Sequence, residues 1–505
     1  MRRVDSPVDE KPSENSDGWV SPINLSLGCV VIVDGCSHGS VYAKEFKKLG
    51  YTPIHVQTLR ELPGFYQRSF VPTDYEENIV FDGKVDNLME ALSKYEIKFI
   101  IAGSEYAVDL VEMVLSKNNF GVPSNDLRVP GARRNKHTMS EVLRGKGLRV
   151  IPEIVTSEAE KAMTFAAQPG IGFPIVVKSL DSGGSVDFRL CQNNEGIQRA
   201  FDAMLHAQNF LNLQMTQLLV QKYMQGTEYA INTVSCDGKH VITDIQKYTK
   251  GHVGQGKRMY LQDELQTAAD IATLGLKFLK YISDVLDALG IKYGPAHTEI
   301  MVMEDGPVLV ELAARPGGGI SPSVMKECVP IAQMDLSVLA YADPDGFAKY
   351  DASYFYKTNS NKLCTYVQLI SHHAGEVNGI HQDLLKQLKQ LPTFQGVFGL
   401  PEKGMRIEET VDLKTTCGCV YLIGSREQMN KDYECIRELE KAGLIMLAAP
   451  ALEEKPIEPE VQRQPSVQKT SDSVAANQSS FWGNPWVKGA AIVAVGYTAY
   501  RFSNS

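Results

Sequence analysis

The sequence predicts an α/β protein in which a parallel-sheet domain is followed by α+β lobes. Two patterns carry that expectation. Near the start, apolar strand-like runs alternate with amphipathic helical stretches, as they do where helices connect parallel strands. From about residue 135 the texture changes to β-rich runs joined by glycine-containing turns, with single helices between them. Length agrees, because 505 residues exceed one ordinary domain and call for separate cores.

Element by element, residues 1–26 begin with the polar MRRVDSPVDEKPSENSDG, which reads as a flexible tail rather than a signal peptide because it lacks an apolar run. Residues 27–130 form the first domain. GCVVIVD (28–34) is a buried parallel strand, followed by the turn GCSHGS and the helix VYAKEFKKLG. PIHVQT and KFIIAGS are further strands, and AVDLVEMVLSK is a helix. The first turn is not G-x-G-x-x-G, which weakens a dinucleotide reading.

Residues 131–350 form a second unit, with a small lobe over about 135–225 and a large lobe over about 226–350. A helix in ARRNKHTMSEVLRGKG precedes the β-rich FPIVVKSLDSGGSVDFRL. The helix EGIQRAFDAMLHAQNFL and the strands LLVQKY and EYAINTVS follow. DELQTAADIATLGLKFLKYISDVLDALG is expected to be one long helix, and it leads to a hairpin. Residues 351–450 form a C-terminal lobe, and 451–482 a disordered linker rich in Pro, Ser and Gln. Residues 483–505 are an apolar tail. Its uncharged stretch Gly489–Tyr500 is short of the ~20 residues that span a bilayer. Snorkelling by Lys488 and Arg501 keeps a membrane anchor open beside a docked terminal helix.

Composition excludes some functions. A hydrophobic content of 43% with 22% charged residues describes a globular chain. The net charge of −9 and the lack of a basic stripe argue against nucleic acid. Nine scattered cysteines, with only Cys417 and Cys419 close together, show no zinc spacing and fit a reducing, cytoplasmic compartment.

The chemistry concentrates in the hairpin HTEIMVMEDGPVLVELAAR. Side chains alternate along a strand, so 299, 301 and 303 share a face, as do 309, 311, 313 and 315. A three-residue loop, Glu304-Asp305-Gly306, sets Glu299 opposite Glu311, whereas a four-residue loop puts them on opposite faces. Facing carboxylates ~5 Å apart at Cβ repel unless something neutralises them. Mg2+ does so with room left for phosphate oxygens. Arg315 then suits a phosphoryl group, although a plain Glu311–Arg315 ion pair explains the same residues.

Lys178 ends the apolar strand PIVVK before a Gly/Ser turn, a phosphate cradle or an ordinary hairpin turn. Lys136 near a helix start is a weaker candidate of the same kind. VQKYMQGTE breaks at Gly226, leaving main-chain groups to read an adenine edge and Glu228 to accept from ribose hydroxyls, or forming a plain turn. His297 shares the Glu299 face.

The order of these residues resembles the ATP-grasp superfamily of carboxylate–amine ligases. The match GPAHTEI…VELAARPGGG is similar to the L-amino-acid ligases of the bacilysin-synthetase kind. The resemblance covers about 28–450, and 136–320 carries its motifs. It implies an ATP-grasp fold with a Rossmann-like domain before it and two α+β lobes sandwiching ATP. Lys136 and Lys178 then contact the phosphates, and Ser182, Gly183, Gly184 and Ser185 close over them. Backbone around Gln221, Lys222, Tyr223 and Met224 holds adenine, with Glu228 on ribose. Glu299 and Glu311 bind Mg2+, with Mn2+ as an alternative. Arg315 stabilises the transferred phosphoryl group, Gly317, Gly318 and Gly319 line the amino-acid pocket, and His297 orients substrate. Ala313 stands where many relatives carry a metal-binding Asn, as it does in the amino-acid ligase branch.

The implied reaction activates an amino-acid carboxylate as an acyl phosphate, which an amine then attacks, releasing ADP and phosphate. The small-molecule substrates are a carboxylate and an amine, and a homodimer is a family option. Rival readings are bicarbonate activation and a membrane-tethered, non-catalytic ATP-binding scaffold.

Overall fold

The computed structural model describes residues 26–62, 64–118, 120–181, 187–209, 214–253, 258–351 and 362–448. Ser182, Gly183, Gly184 and Ser185, the linker 451–482 and the tail 483–505 lie outside those residues, as does the N-terminal stretch 1–25.

The first domain is a parallel sheet of β1 (Cys29–Val33), β2 (Thr52–Gln57), β3 (Glu77–Val80) and β4 (Ile97–Ala102), ordered β3-β2-β1-β4. The central strand β1 is buried on both faces, which is why it reads as an unbroken apolar run. Val31 and Val33 pack towards Leu110 and Val114 on one side. Val30 and Ile32 pack towards Tyr42 and Phe46 on the other.

The helix Lys136–Gly145 starts at Asn135, whose side-chain oxygen accepts the His137 and Thr138 backbone N–H groups. The cap puts Lys136 in the first helical position, where it is buried. An antiparallel sheet follows, built from β5 (Glu153–Thr156), β6 (Ile175–Lys178), β7 (Phe188–Cys191) and β8 (Leu218–Lys222) in the order β5-β8-β6-β7. Phe165, Ile197 and Phe201 of two helices cover one face through Ile175, Val177 and Val220. The other end of β6 carries Lys178.

The main sheet contains β9 (Thr227–Cys236), β10 (Lys239–His252), β11 (Arg258–Leu265), β12 (Gly294–Met303) and β13 (Gly306–Ala313). The C-terminal region adds β14 (Leu363–Gln368), β15 (Gly375–Ile380), β16 (Phe394–Phe398), β17 (Arg406–Ile407), β18 (Cys419–Gly424) and β19 (Ile445–Leu447). The main sheet has eight strands in the order β13-β12-β9-β10-β11-β14-β18-β16. β14 pairs with β11, so the expected C-terminal lobe extends the same sheet, and the division near 351 stays a proposal.

Two local expectations are corrected. Asp263–Leu265 do not begin the long helix but end β11, paired to Tyr248, Lys247 and Gln246 of β10. The helix Ala268–Ala288 starts only after Thr267, which forms a capping box with Asp270, and it is interrupted at Gly275, where φ is +77°. The hairpin turn has two residues, not three, because Met303 pairs with Gly306.

Candidate active site

The two-residue turn alone would set Glu299 opposite Val310. A register shift between Glu299 and Ile300 pairs Ile300 with Leu309 but Glu299 with Glu311, so Val310 is the extra residue of a β-bulge. The predicted facing of the carboxylates therefore holds by a different route. The bulge also breaks the expected alternation: Leu309 and Leu312 enter the same core, and Leu309 does not share the Glu311 face.

Glu311 accepts an ion pair from Lys136 Nζ at 2.7 Å. Glu299 lies 3.6 Å from His297 Nε2 and 3.3 Å from the Tyr248 hydroxyl. Burial pushes the Glu299 carboxyl up, but the His297 hydrogen bond and the His297, Lys250 and Lys136 charges outweigh it and hold it below its ordinary value. The sequence pairing of Glu311 with Arg315 is not what forms. Arg315 Nε donates to Glu105 Oε2 at 2.5 Å and its Nη1 to the Pro316 carbonyl at 2.7 Å. Arg134 also pairs with Glu105, at 3.0 Å. Burial raises Glu105, yet the Arg315 and Arg134 charges prevail and bring it to about 2.

Lys178 is half-buried at the end of β6, within electrostatic reach of Lys136 and Glu311. Burial first, and Lys136 second, lower its ammonium to about 8. The β6 exit is docked on the helix start through Lys136 N–H to the Leu180 carbonyl and Asn135 Nδ2 to Asp181. These contacts bring both lysines to the Glu311 side of the hairpin.

At the hinge, the Gln221 side chain is tied to Glu153 at 2.5 Å and the Lys222 N–H to the Pro152 carbonyl. Met224 and Gln225 make no backbone–backbone hydrogen bond among the described residues, as a hinge with free main-chain groups requires. Gly226 has a packing reason, since a Cβ there would sit 2.4 Å from the Val302 carbonyl oxygen. Glu228 is buried and engaged, accepting from Lys250 Nζ at 2.6 Å and the Tyr260 hydroxyl at 2.9 Å.

The glycine loop lies on the sheet face. A Cβ on Gly317 would sit 2.3 Å from Asn232 Oδ1, and Gly319 adopts φ +88°. Gly317 N–H donates to Gln333 Oε1. A small, partly open cavity is bounded by Gly317, Gly318, Asn232, Asp244, Gln246 and His38. His297 Nδ1 bonds Asn232 at 2.8 Å, which fixes its ring towards Glu299.

The sequence reading missed Glu105, Asn232, Tyr248, Lys250 and Asp263. Their partners are remote in the chain, so no local pattern marks them.

Among the described residues no three acidic, histidine or cysteine side chains gather as a metal site. Two facing carboxylates fit Mg2+ nonetheless, since it is held by one or two carboxylates and takes its other oxygens from phosphate and water. Lys136 supplies the positive charge that Glu311 faces in their place.

Residues 171–323 match the ATP-grasp domain family. The chain carries an ATP-grasp domain on an ATP-grasp fold. It is 28% identical over 357 residues to dapdiamide A synthase of Enterobacter agglomerans, covering 69% of this chain and 81% of that one. It is 24% identical over 237 residues to the L-arginine-specific L-amino acid ligase of Bacillus subtilis, covering 45% of this chain and 55% of that one. The solved L-amino acid ligase from Bacillus licheniformis superposes with a TM-score of 0.62 at 18% identity, over 83% of this chain and 99% of that one.

Proposed function

We propose that the protein is an ATP-dependent carboxylate–amine ligase that activates an amino acid and joins it to an amine, the amine of a second amino acid fitting best. The observation that carries this reading is the facing pair Glu299 and Glu311, with Lys136 bonded to Glu311, Lys178 beside it and Arg315 on the same loop.

Each residue has a task that follows from its charge. Lys136 and Lys178 neutralise phosphate oxygens, and the partial burial of Lys178 strengthens that interaction. Glu299 and Glu311 would hold Mg2+, which neutralises phosphate charge as the phosphoryl group moves. Arg315 is pre-aimed by Glu105 through Nε, leaving its Nη2 edge for the oxygens of the migrating phosphoryl group. The hinge backbone at Tyr223–Met224 would read adenine, and Glu228 would face the ribose. The substrate carboxylate attacks the γ-phosphorus and ADP leaves. The amine then attacks the acyl carbon, and phosphate leaves. Positioning and charge neutralisation dominate such steps, so no protein nucleophile is required.

The nine cysteines are all free, which supports a reducing, cytoplasmic location. No helix among the described residues is long and apolar enough to cross a membrane. Sedimentation and vesicle flotation of the full chain test a homodimer and a membrane contact through 483–505. The reaction itself is tested by phosphate release from Mg-ATP across the standard amino acids, singly and in pairs, with products weighed by mass spectrometry. Pair-dependent release with a new peptide mass is expected. Release driven by bicarbonate alone, or ATP binding with no turnover, would overturn the ligase reading.

A further inference from the structure

The cavity bordered by Gly317 and Gly318 has an uneven supply of hydrogen-bonding groups. Its floor is a network on the main sheet. Asn232 and Gln246 each donate to Asp244 Oδ1 at 2.7 Å, and Thr243 donates to Asp244 Oδ2. His297 and Asn232 satisfy each other. These bonds turn one N–H of each amide, and the Thr243 hydroxyl, towards Asp244. Asp263, only 7% exposed, stands beside the network on β11, and its Oδ1 has no hydrogen-bond partner among the described residues. Its Oδ2 packs against the loop just behind the cavity lining, on the Gln246 side: a Cβ on Gly319 would sit 2.9 Å from it and 3.7 Å from Gln246 Oε1.

A buried carboxylate without a donor is costly, so a ligand that reaches Asp263 past Gln246 from the adjoining cavity must bring hydrogens and positive charge. An anion would meet Asp263, Asp244 and Glu299. A metal ion held by protein oxygens alone would need more carboxylates than this end supplies, since no three such side chains gather among the described residues. A primary ammonium brings three donors and one charge. Arg315, two residues before the loop, supplies the opposite charge, so the loop joins an anion-binding end to a cation-binding end, as a zwitterion requires. Burial first, then the Glu299 and Glu228 charges, push the Asp263 carboxyl up to about 8, a strain that an ammonium would relieve. His38, lowered to about 3 by burial, stays neutral and does not compete.

We infer that Asp263, with Gln246 Oε1 and the Gly317–Gly319 loop, forms the subsite that receives the α-ammonium of an amino-acid substrate. The inference rests on the ligase reading only for which substrate carries that ammonium.

The full-length protein is compared with Asp263→Asn and Asp263→Glu. The probes are the standard amino acids and, for each that drives phosphate release, its 2-hydroxy analogue, with hydroxylamine as an uncharged acceptor. Wild type should prefer the amino compound. Asp263→Asn should cut that preference by about tenfold or more, the worth of a charged hydrogen bond, with little change in the KM for ATP. Asp263→Glu should recover part of it. A loss that persists with hydroxylamine assigns the ammonium to the activated amino acid, and a loss that vanishes assigns it to the attacking one. Equal losses for amino and hydroxy compounds, as a merely structural residue would give, overturn the inference. If no amino acid drives turnover, the ligase reading fails separately. Thermal shifts of wild type and Asp263→Asn with the same probes then decide. An amino-over-hydroxy preference lost in the variant sustains the subsite, and no amino-acid binding overturns it.

Discussion

Glu105, largely buried, and Asp263, buried, are two carboxylates beside the Arg315–Gly319 loop, and the fold treats them oppositely. Glu105 is gripped by Arg315 and Arg134, and its proton affinity is driven down to about 2. Asp263 is raised by burial and by the Glu299 and Glu228 charges, which outweigh Lys250, and its affinity is driven up to about 8. Burial is the first influence on both and raises both. The sign is decided by who stands next to the carboxylate. A carboxylate matched by arginine is framework, whereas one left unmatched is held ready for something absent from the chain. Glu299 and Glu311 are each partly answered, by His297 and Lys136.

Changing each carboxylate to its amide tests that contrast. The largest effect is expected at Glu311→Gln, which keeps the shape but removes a charge from the proposed metal-holding pair. ATP turnover should fall by about 10³-fold while the melting temperature hardly moves. Turnover within a few-fold of wild type would remove Glu311 from the chemistry.

Glu105→Gln should cost stability instead, about 3–5 kcal/mol by denaturant titration, because Arg315 and Arg134 lose the carboxylate they share. The pH dependence has the matching sign. Glu105 has a folded value below its ordinary 4.5, so its contribution is complete above 4.5 and is lost as pH falls towards about 2. Acid titration of the variant should lack that component.

Asp263→Asn should do the reverse in the ligand-free protein. Asp263 has a folded value above its ordinary 3.8, so its contribution is present below 3.8 and declines as pH rises through about 8. The variant should be more stable than wild type at pH 8, by about 1–2 kcal/mol, with the gain fading in mild acid. A loss of stability at pH 8 would show that Asp263 is matched after all.

The smallest effect concerns Lys178. Its ammonium is charged below about 8 and neutral above it in the empty site, so ATP affinity should weaken a few-fold between neutral and alkaline pH. Lys178→Arg should bind ATP with a flatter profile, because guanidinium keeps its charge throughout that range. Isothermal titration across pH reads both proteins.

Much of this was legible in order along the chain. Strand periodicity located Glu299 and Glu311 on one hairpin, and an apolar run set Lys178 at a strand end before a Gly/Ser turn. Those features depend on neighbours a few residues away. Even there, the register came from a bulge at Val310 that compensates a turn one residue shorter than expected, and no spacing rule reports a bulge.

By itself the sequence determined the parallel-sheet domain, the Asn135 cap that places Lys136, and the carboxylate-bearing hairpin, because helix caps and strand faces are set by short-range geometry. Tertiary structure alone decided that Arg315 answers Glu105, 210 residues away, rather than Glu311. It also decided that Asp263 ends a strand rather than starting a helix. The strand pairing with β10 and β14 overrode the local helical pattern and brought a carboxylate under the glycine loop. Charge partners are chosen in space, where burial makes an unmatched group costly, and chain order holds no record of that choice.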